Sequence, residues 1–208
     1  MKQLHALPKA YRDLAADRAS FAPCDYGQPE DFGYDFYDWV SPYTKGANRY
    51  GGVAVVLQDW ASADGLPQQP DPEIQELGRK QTLRTNVVLE KLLCRVLGLS
   101  LSDVYATNAF PFVKPGGMSS PVPQWLVNCA ASYFLRQELE LAAPEFVLAL
   151  GGVAFRSLQA VPCTSFHCIK LPHPAARIGD LRACEKIPLL LCARVKCHDV
   201  NVVCHCVR

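Results

Sequence analysis

Apolar positions along the chain recur in two rhythms. Val53, Val55, Val56 and Leu57 make a short, near-continuous apolar run, the mark of a strand buried on both faces of a parallel sheet. The run gives way to Gln58, Asp59 and Trp60, where this strand is predicted to stop. Residues 104–108 predict a second strand ending on Asn108, Phe146–Leu150 a third, and residues 166–171 a fourth that runs into Pro172-His173-Pro174. Between the strands the spacing turns helical. Leu77, Leu83, Val87, Val88, Leu92, Leu93 and Val96 predict one helix over residues 74–97, stopped by Gly98. Trp125, Leu126, Cys129, Tyr133, Phe134, Leu135 and Leu139 supply the buried side of another, over 124–141. Residues 4–19 and 153–158 predict two more helices. Residues 61–72 and 109–117, rich in Pro and Gly, predict loops. Residues 21–50 read as an ordered loop region, too aromatic for a flexible linker. Its Tyr34, Phe36, Tyr37, Trp39 and Tyr43 either line a pocket or cover the sheet edge. Strand–helix alternation implies a parallel sheet with helices on both faces.

Composition narrows this picture. A length of 208 residues suits one domain over 1–208. The formal net charge is +1, so a nucleic-acid surface would have to be a local basic patch. No run approaches the roughly 18 apolar residues of a membrane span. The first residues are charged and lack the apolar core of a secretory signal. The expectation is a cytoplasmic protein with no membrane partner. Ten cysteines is a high count, and in a reducing compartment disulfides are not expected. Cys24, Cys94, Cys129, Cys163, Cys168 and Cys184 are scattered, as buried small hydrophobes would be. Residues 185–208 form a Cys/His-rich segment holding Cys192, Cys197, His198, Cys204, His205 and Cys206. These are either zinc ligands, though without the usual paired C-x2-C spacing, or part of a last strand or helix.

Candidate chemistry lies where strands end. In open α/β sheets ligands bind beyond the carboxyl ends of the strands, and three predicted strands end on Asp59, Asn108 and His173. Each has a plain alternative: Asp59 opens a turn with Trp60 in the core, Asn108 caps a loop, His173 is a structural histidine between prolines. Together a carboxylate, a carboxamide and an imidazole suit cleavage of a bond whose leaving group departs as an anion. The amide reads a hydrogen-bonding edge. The imidazole donates to an oxygen gaining negative charge. The carboxylate orients water and stabilises a cationic sugar. An N-glycosidic bond to a pyrimidine fits all three, with Trp60 able to wall the pocket against a planar base.

Four segments occur in order: Leu57-Gln58-Asp59-Trp60-Ala61-Ser62, Thr107-Asn108-Ala109-Phe110-Pro111-Phe112-Val113-Lys114-Pro115-Gly116, Ala149-Leu150-Gly151-Gly152-Val153-Ala154, and Pro172-His173-Pro174-Ala175-Ala176. In this order they resemble the motifs of the uracil-DNA glycosylase superfamily, over residues 51–179, closest to its bacterial and archaeal branches. The resemblance implies a three-layer α/β/α fold around a mainly parallel four-stranded sheet, and a base flipped out of DNA into a pocket. It implies Asp59 as the water-activating carboxylate and His173 as the group stabilising the departing base. Gln58 and Asn108 would hold and read the base. Ala175, Ala176 and Arg177 would sit on a loop pressed into the minor groove. Gly116, Gly117, Met118 and Ser119 would offer amides to the DNA backbone, and Lys114 would contact phosphate. The implied partner is DNA containing uracil or a related damaged base, acted on by a monomer in base excision repair. The mechanism requires no redox cofactor or catalytic metal.

The sequence departs from the family pattern in three places. Trp60 stands where a Pro usually follows the acid. Gly65-Leu66-Pro67 stands where a base-stacking Phe is expected, leaving Phe110 or Phe112 either to substitute or to pack the core. The cysteine pattern of iron–sulfur branches is not recognisable. Two rivals follow: a superfamily member that binds DNA or a nucleobase without cutting, and a zinc-stabilised interaction protein built on the tail.

Overall fold

The protein is described from a computed structural model covering residues 8–21, 23–48, 52–161 and 166–174. Residues 1–7, Ala176, Arg177 and the Cys/His-rich segment lie outside the described residues, and with them the readings made of that segment. Four strands, β1 (Val53–Ser62), β2 (Tyr105–Lys114), β3 (Phe146–Leu150) and β4 (His167–Leu171), form one sheet in the order β2-β1-β3-β4. All three pairings are parallel. Helices cover both faces, giving the three-layer α/β/α architecture.

Alternation along β1 explains the near-continuous apolar run. Ala54 and Val56 join Val147 and Ala149 on one face, beneath Tyr11, Leu14, Val127, Phe134, Leu139 and Leu158. Val55 and Leu57 join Leu148 and Leu150 on the other, beneath Leu89, Leu92, Leu93 and Leu101. Successive side chains point to opposite faces, and burying each large one contributes about 1.5–3 kcal/mol. The first face carries α1 (Lys9–Ser20), α4 (Gln124–Ala130), α5 (Arg136–Ala142) and α6 (Gly152–Ala160). The second carries α3 (Arg84–Leu97).

The structure corrects several boundaries. β1 runs on through Asp59 to Ser62, and β2 runs through the predicted loop to Lys114. Pro111 suits this because β2 is an edge strand, where a missing donor is tolerated. The register slips between Asp59 and Ala61, a bulge at the end of the sheet where the candidate site lies. The single helix predicted over 74–97 is two, α2 (Pro72–Leu77) and α3, split at left-handed Gly78. A side chain at Gly78 would collide with the backbone of Pro42. The helix over 124–141 contains a π turn, Ala131–Leu135, between α4 and α5. Cys24, Cys94, Cys129 and Cys168 are free and exposed, not buried as expected.

Residues 23–48 form an ordered strap carrying two 3-10 turns, Pro29–Phe32 and Pro42–Gly46. Its anchor is Arg18, fully buried in α1. The guanidinium donates to Glu30 (2.7 and 2.9 Å), to Gln28 Oε1 (3.0 Å), and to the carbonyls of Phe36 (2.6 Å) and Trp39 (3.0 and 3.2 Å). Tyr34, Phe36, Trp39 and Tyr43 are buried in the core, and Tyr37 is exposed. The strap pairs with β2 at Gly27 and Val113. Among the described residues no helix is long and apolar enough to cross a membrane.

Candidate active site

The bulged end of β1 presents Asp59. Its Oδ2 accepts two hydrogen bonds, from Gln58 Nε2 at 2.9 Å and from Lys114 Nζ at 3.0 Å. Among the described residues no donor falls on Oδ1. Lys114, last in β2, is 4% exposed and also donates to the carbonyl of Met118 at 2.7 Å. It had been expected to contact DNA phosphate. The continuation of β2 instead turns it inward, where its charge is matched by a carboxylate.

Asn108 lies beside Asp59 on the neighbouring strand. Its Nδ2 donates to the Asp59 carbonyl at 2.8 Å, and its Oδ1 accepts from Ser41 Oγ at 2.8 Å. Asn108 is 1% exposed, buried beneath Asp59 and Ser41 by these two bonds. One amide N–H and one Oδ1 lone pair remain beyond these two bonds.

His173 follows β4 by two residues and packs against Gly151, at the end of β3. A Cβ on Gly151 would lie 3.2 Å from the His173 Cβ, and Gly151 has φ +91°. A glycine therefore suits both the turn and the close approach of the imidazole. Burial pushes the His173 pKa below its ordinary value, opposed by the nearby Asp59 charge and reinforced by Lys114. The shift favours the neutral imidazole, which keeps one N–H to donate. Asp59, Lys114 and His173 lie within electrostatic reach of one another, and Asn108 is bonded to the Asp59 backbone. The strand ends therefore bring a carboxylate, an amide, an imidazole and an ammonium to one rim.

The remaining sequence candidates are placed as follows. Gln58 is half-buried with its amide on Asp59. Trp60 donates its indole N–H to the Gly78 carbonyl at 2.8 Å and sits edge-on to Tyr34 and Phe36. This ring braces β1 against the end of α2, where a pocket wall was expected, because the bulged strand turns it toward the strap. Phe110 and Phe112 are fully buried core residues, against Tyr26 and Phe134 respectively. Gly117 and the exposed Ser119 lie on a turn that Gly116 enters at φ +72°, closed by the Ser120 N–H on the Gly117 carbonyl at 2.9 Å. Among the described residues no cluster of His, Cys, Asp or Glu could hold a metal ion.

Two residues behind the site were missed by sequence reasoning. Ser41 comes from the strap. Glu138, in α5, is buried and accepts from Tyr105 Oη (2.8 Å) and Thr107 Oγ1 (2.8 Å), with Thr44 Oγ1 a further 3.4 Å neighbour. Burial pushes its pKa up to about 7, against the pull of these three hydroxyls. One signal existed for it: a lone carboxylate among the inward positions Ala131, Leu135 and Ala142. Ser41 left none.

A parallel sheet covered on both faces, with polar groups gathered along the carboxyl-side halves of β1 and β2 and just after β4, defines the class: an α/β protein with its candidate site at the carboxyl side of the sheet. The family model of the uracil DNA glycosylase superfamily matches residues 66–186, more than half of the chain, and the chain belongs to that superfamily. Its members are in general hydrolytic DNA glycosylases of DNA repair. The match includes Asn108, Lys114 and His173 and begins beyond Asp59, so Asp59 enters the site by its position in the fold. No curated protein matches the chain.

Proposed function

We propose that this protein hydrolyses the N-glycosidic bond of uracil, or of a related damaged base, in DNA after the base has been flipped from the duplex. The observation that carries the reading is the gathering of Asp59, Asn108 and His173 at one rim. The free N–H and lone pair of Asn108 pair with the O4 and N3–H of uracil. As the C1′–N bond breaks, its electrons leave with the base, and neutral His173 donates to the oxygen that becomes negative. Asp59 stabilises the cationic sugar, and its unoccupied oxygen orients a water that bonds to C1′ and gives up a proton to the carboxylate. Gln58 and Lys114 hold the other oxygen. The turn carrying Gly117 and Ser119 meets the DNA backbone.

The test is base release from a uracil-containing oligonucleotide. Asp59→Asn and His173→Ala should each slow release on the order of 10²–10⁴-fold in a protein that still folds, Asp59→Asn with some loss of thermal stability because Lys114 loses its carboxylate. Unaltered release by either variant removes the assignment. A second reading, binding without cutting, draws on the Lys114 ammonium already neutralising Asp59 and on the near-complete burial of Asn108. A protein of that kind retards the oligonucleotide in a gel and leaves no abasic site.

A further inference from the structure

We infer that Ser41 sets which base the site accepts, by fixing the orientation of the Asn108 carboxamide. The inference rests on the glycosylase reading above and adds to it a residue from the strap, outside the segment that matches the family.

The two ends of a carboxamide are alike in shape, so their assignment comes from their partners. The Asp59 carbonyl can only accept, so the end facing it at 2.8 Å is Nδ2. Oδ1 therefore faces Ser41, and the Ser41 hydroxyl donates to it at 2.8 Å. Turned by half a rotation, the amide would set Oδ1 against the Asp59 carbonyl. It would also take away the acceptor of a fully buried hydroxyl. Leaving a buried donor unmade is costly, so the two contacts together hold one orientation.

Orientation decides the base. Uracil shows an acceptor at position 4 and a donor at position 3. Cytosine shows the reverse, a donor at position 4 and an acceptor at position 3. A carboxamide free to turn would pair with either; one that is locked pairs with one and sets like groups opposed on the other.

Ser41 is itself held on both sides. Its neighbour Val40 donates its N–H to Tyr11 Oη at 3.3 Å, and the Trp39 carbonyl is clamped by Arg18. The Ser41 carbonyl accepts from the Thr44 N–H at 3.0 Å, and Thr44 Oγ1 donates to the Ala106 carbonyl of β2 at 3.2 Å. The hydroxyl therefore reaches Asn108 from a fixed backbone, as positioning requires.

The experiment is single-turnover excision on two oligonucleotides differing only in uracil or cytosine at the target position. Wild type, Ser41→Ala and Ser41→Cys are compared. Losing the hydroxyl should slow uracil release by about tenfold and raise the cytosine-to-uracil rate ratio. Cysteine, similar in shape but a weak donor, should fall between. A merely structural role would lower both rates together and leave the ratio fixed. Should Ser41→Ala fail to fold, Ser41→Cys carries the test. A rate ratio equal to wild type in the folded variant overturns the role of Ser41 and leaves the glycosylase reading standing. A wild-type protein that releases neither base overturns both.

Discussion

Replacing Glu138 by Gln should remove a pH dependence from the stability of the protein. The carboxyl is buried behind β2 and holds its proton to about pH 7, against an ordinary 4.5. At about 1.4 kcal/mol per pH unit, ionising it in the folded state costs about 3 kcal/mol more than ionising it in the unfolded chain. Between pH 4.5 and 7 the unfolded carboxyl has lost its proton while the folded one keeps it. The folded state then binds more protons, and the free energy of unfolding falls as pH rises. The contribution is fully present below 4.5 and lost through the window up to about 7. Linkage over pH 5 to 8 gives a loss on the order of 2–3 kcal/mol from this group. The depressed pKa of His173 works in the opposite sense, adding stability as pH rises toward its ordinary 6.5. It is common to both proteins and cancels when they are compared.

The Gln side chain has no proton to lose, and the Tyr105, Thr107 and Thr44 hydroxyls can turn to meet its amide. Urea unfolding followed by tryptophan fluorescence at pH 5, 6, 7 and 8 gives the two stability curves. The difference, variant minus wild type, should climb on the order of 2–3 kcal/mol across that range. Parallel curves would show that Glu138 does not titrate in this window, and the argument from burial would fail.

Two further outcomes test the pairings around the site. Lys114→Met should destabilise the fold on the order of 3 kcal/mol, because it leaves the Asp59 carboxylate without its cation; adding Asp59→Asn should recover part of that loss in a double-mutant cycle, and strict additivity would mean that the ion pair contributes nothing. Trp60→Phe keeps the ring and removes the N–H donated to Gly78, so it should lower stability by about 1 kcal/mol without altering base preference; a changed preference would return Trp60 to the pocket wall.

Local periodicity revealed most of the fold. Phe146–Leu150 is buried at every position and carries no competing signal, and its observed bounds match the predicted ones. β2 was cut short because Pro111 and Gly116-Gly117 are loop signals in a sequence read without neighbours. Only the edge position of the strand makes that proline acceptable. The helix over 74–97 was read through Gly78 because its apolar spacing continues; the break depends on Pro42, far off in sequence. Asp59, Asn108 and His173 were visible because each follows an apolar run. Ser41 left no signal and Glu138 only a carboxylate on an inward helix face, since each owes its role to partners that only the folded chain supplies. Lys114 misled for a related reason: a lysine beside Pro and Gly reads as exposed unless a buried carboxylate is known to face it.

The position of Ser41 in the chain follows from the problem of the sheet edge. β2 is the first strand in the order, and an uncovered edge would expose its N–H and C=O groups to pairing with other chains. The strap answers this with the Gly27–Val113 bridge and with Thr44 on the Ala106 carbonyl. Once it lies along β2, a residue beside Asn108 is unavoidable, although 67 positions separate the two. A hydroxyl there satisfies the buried amide; an apolar residue would leave Oδ1 without a donor in a dry site. Covering the edge and orienting the amide are thus two effects of one segment. Loosening the strap at Arg18 should disturb base choice as well as stability, and a destabilised Arg18→Met variant with wild-type preference would separate them.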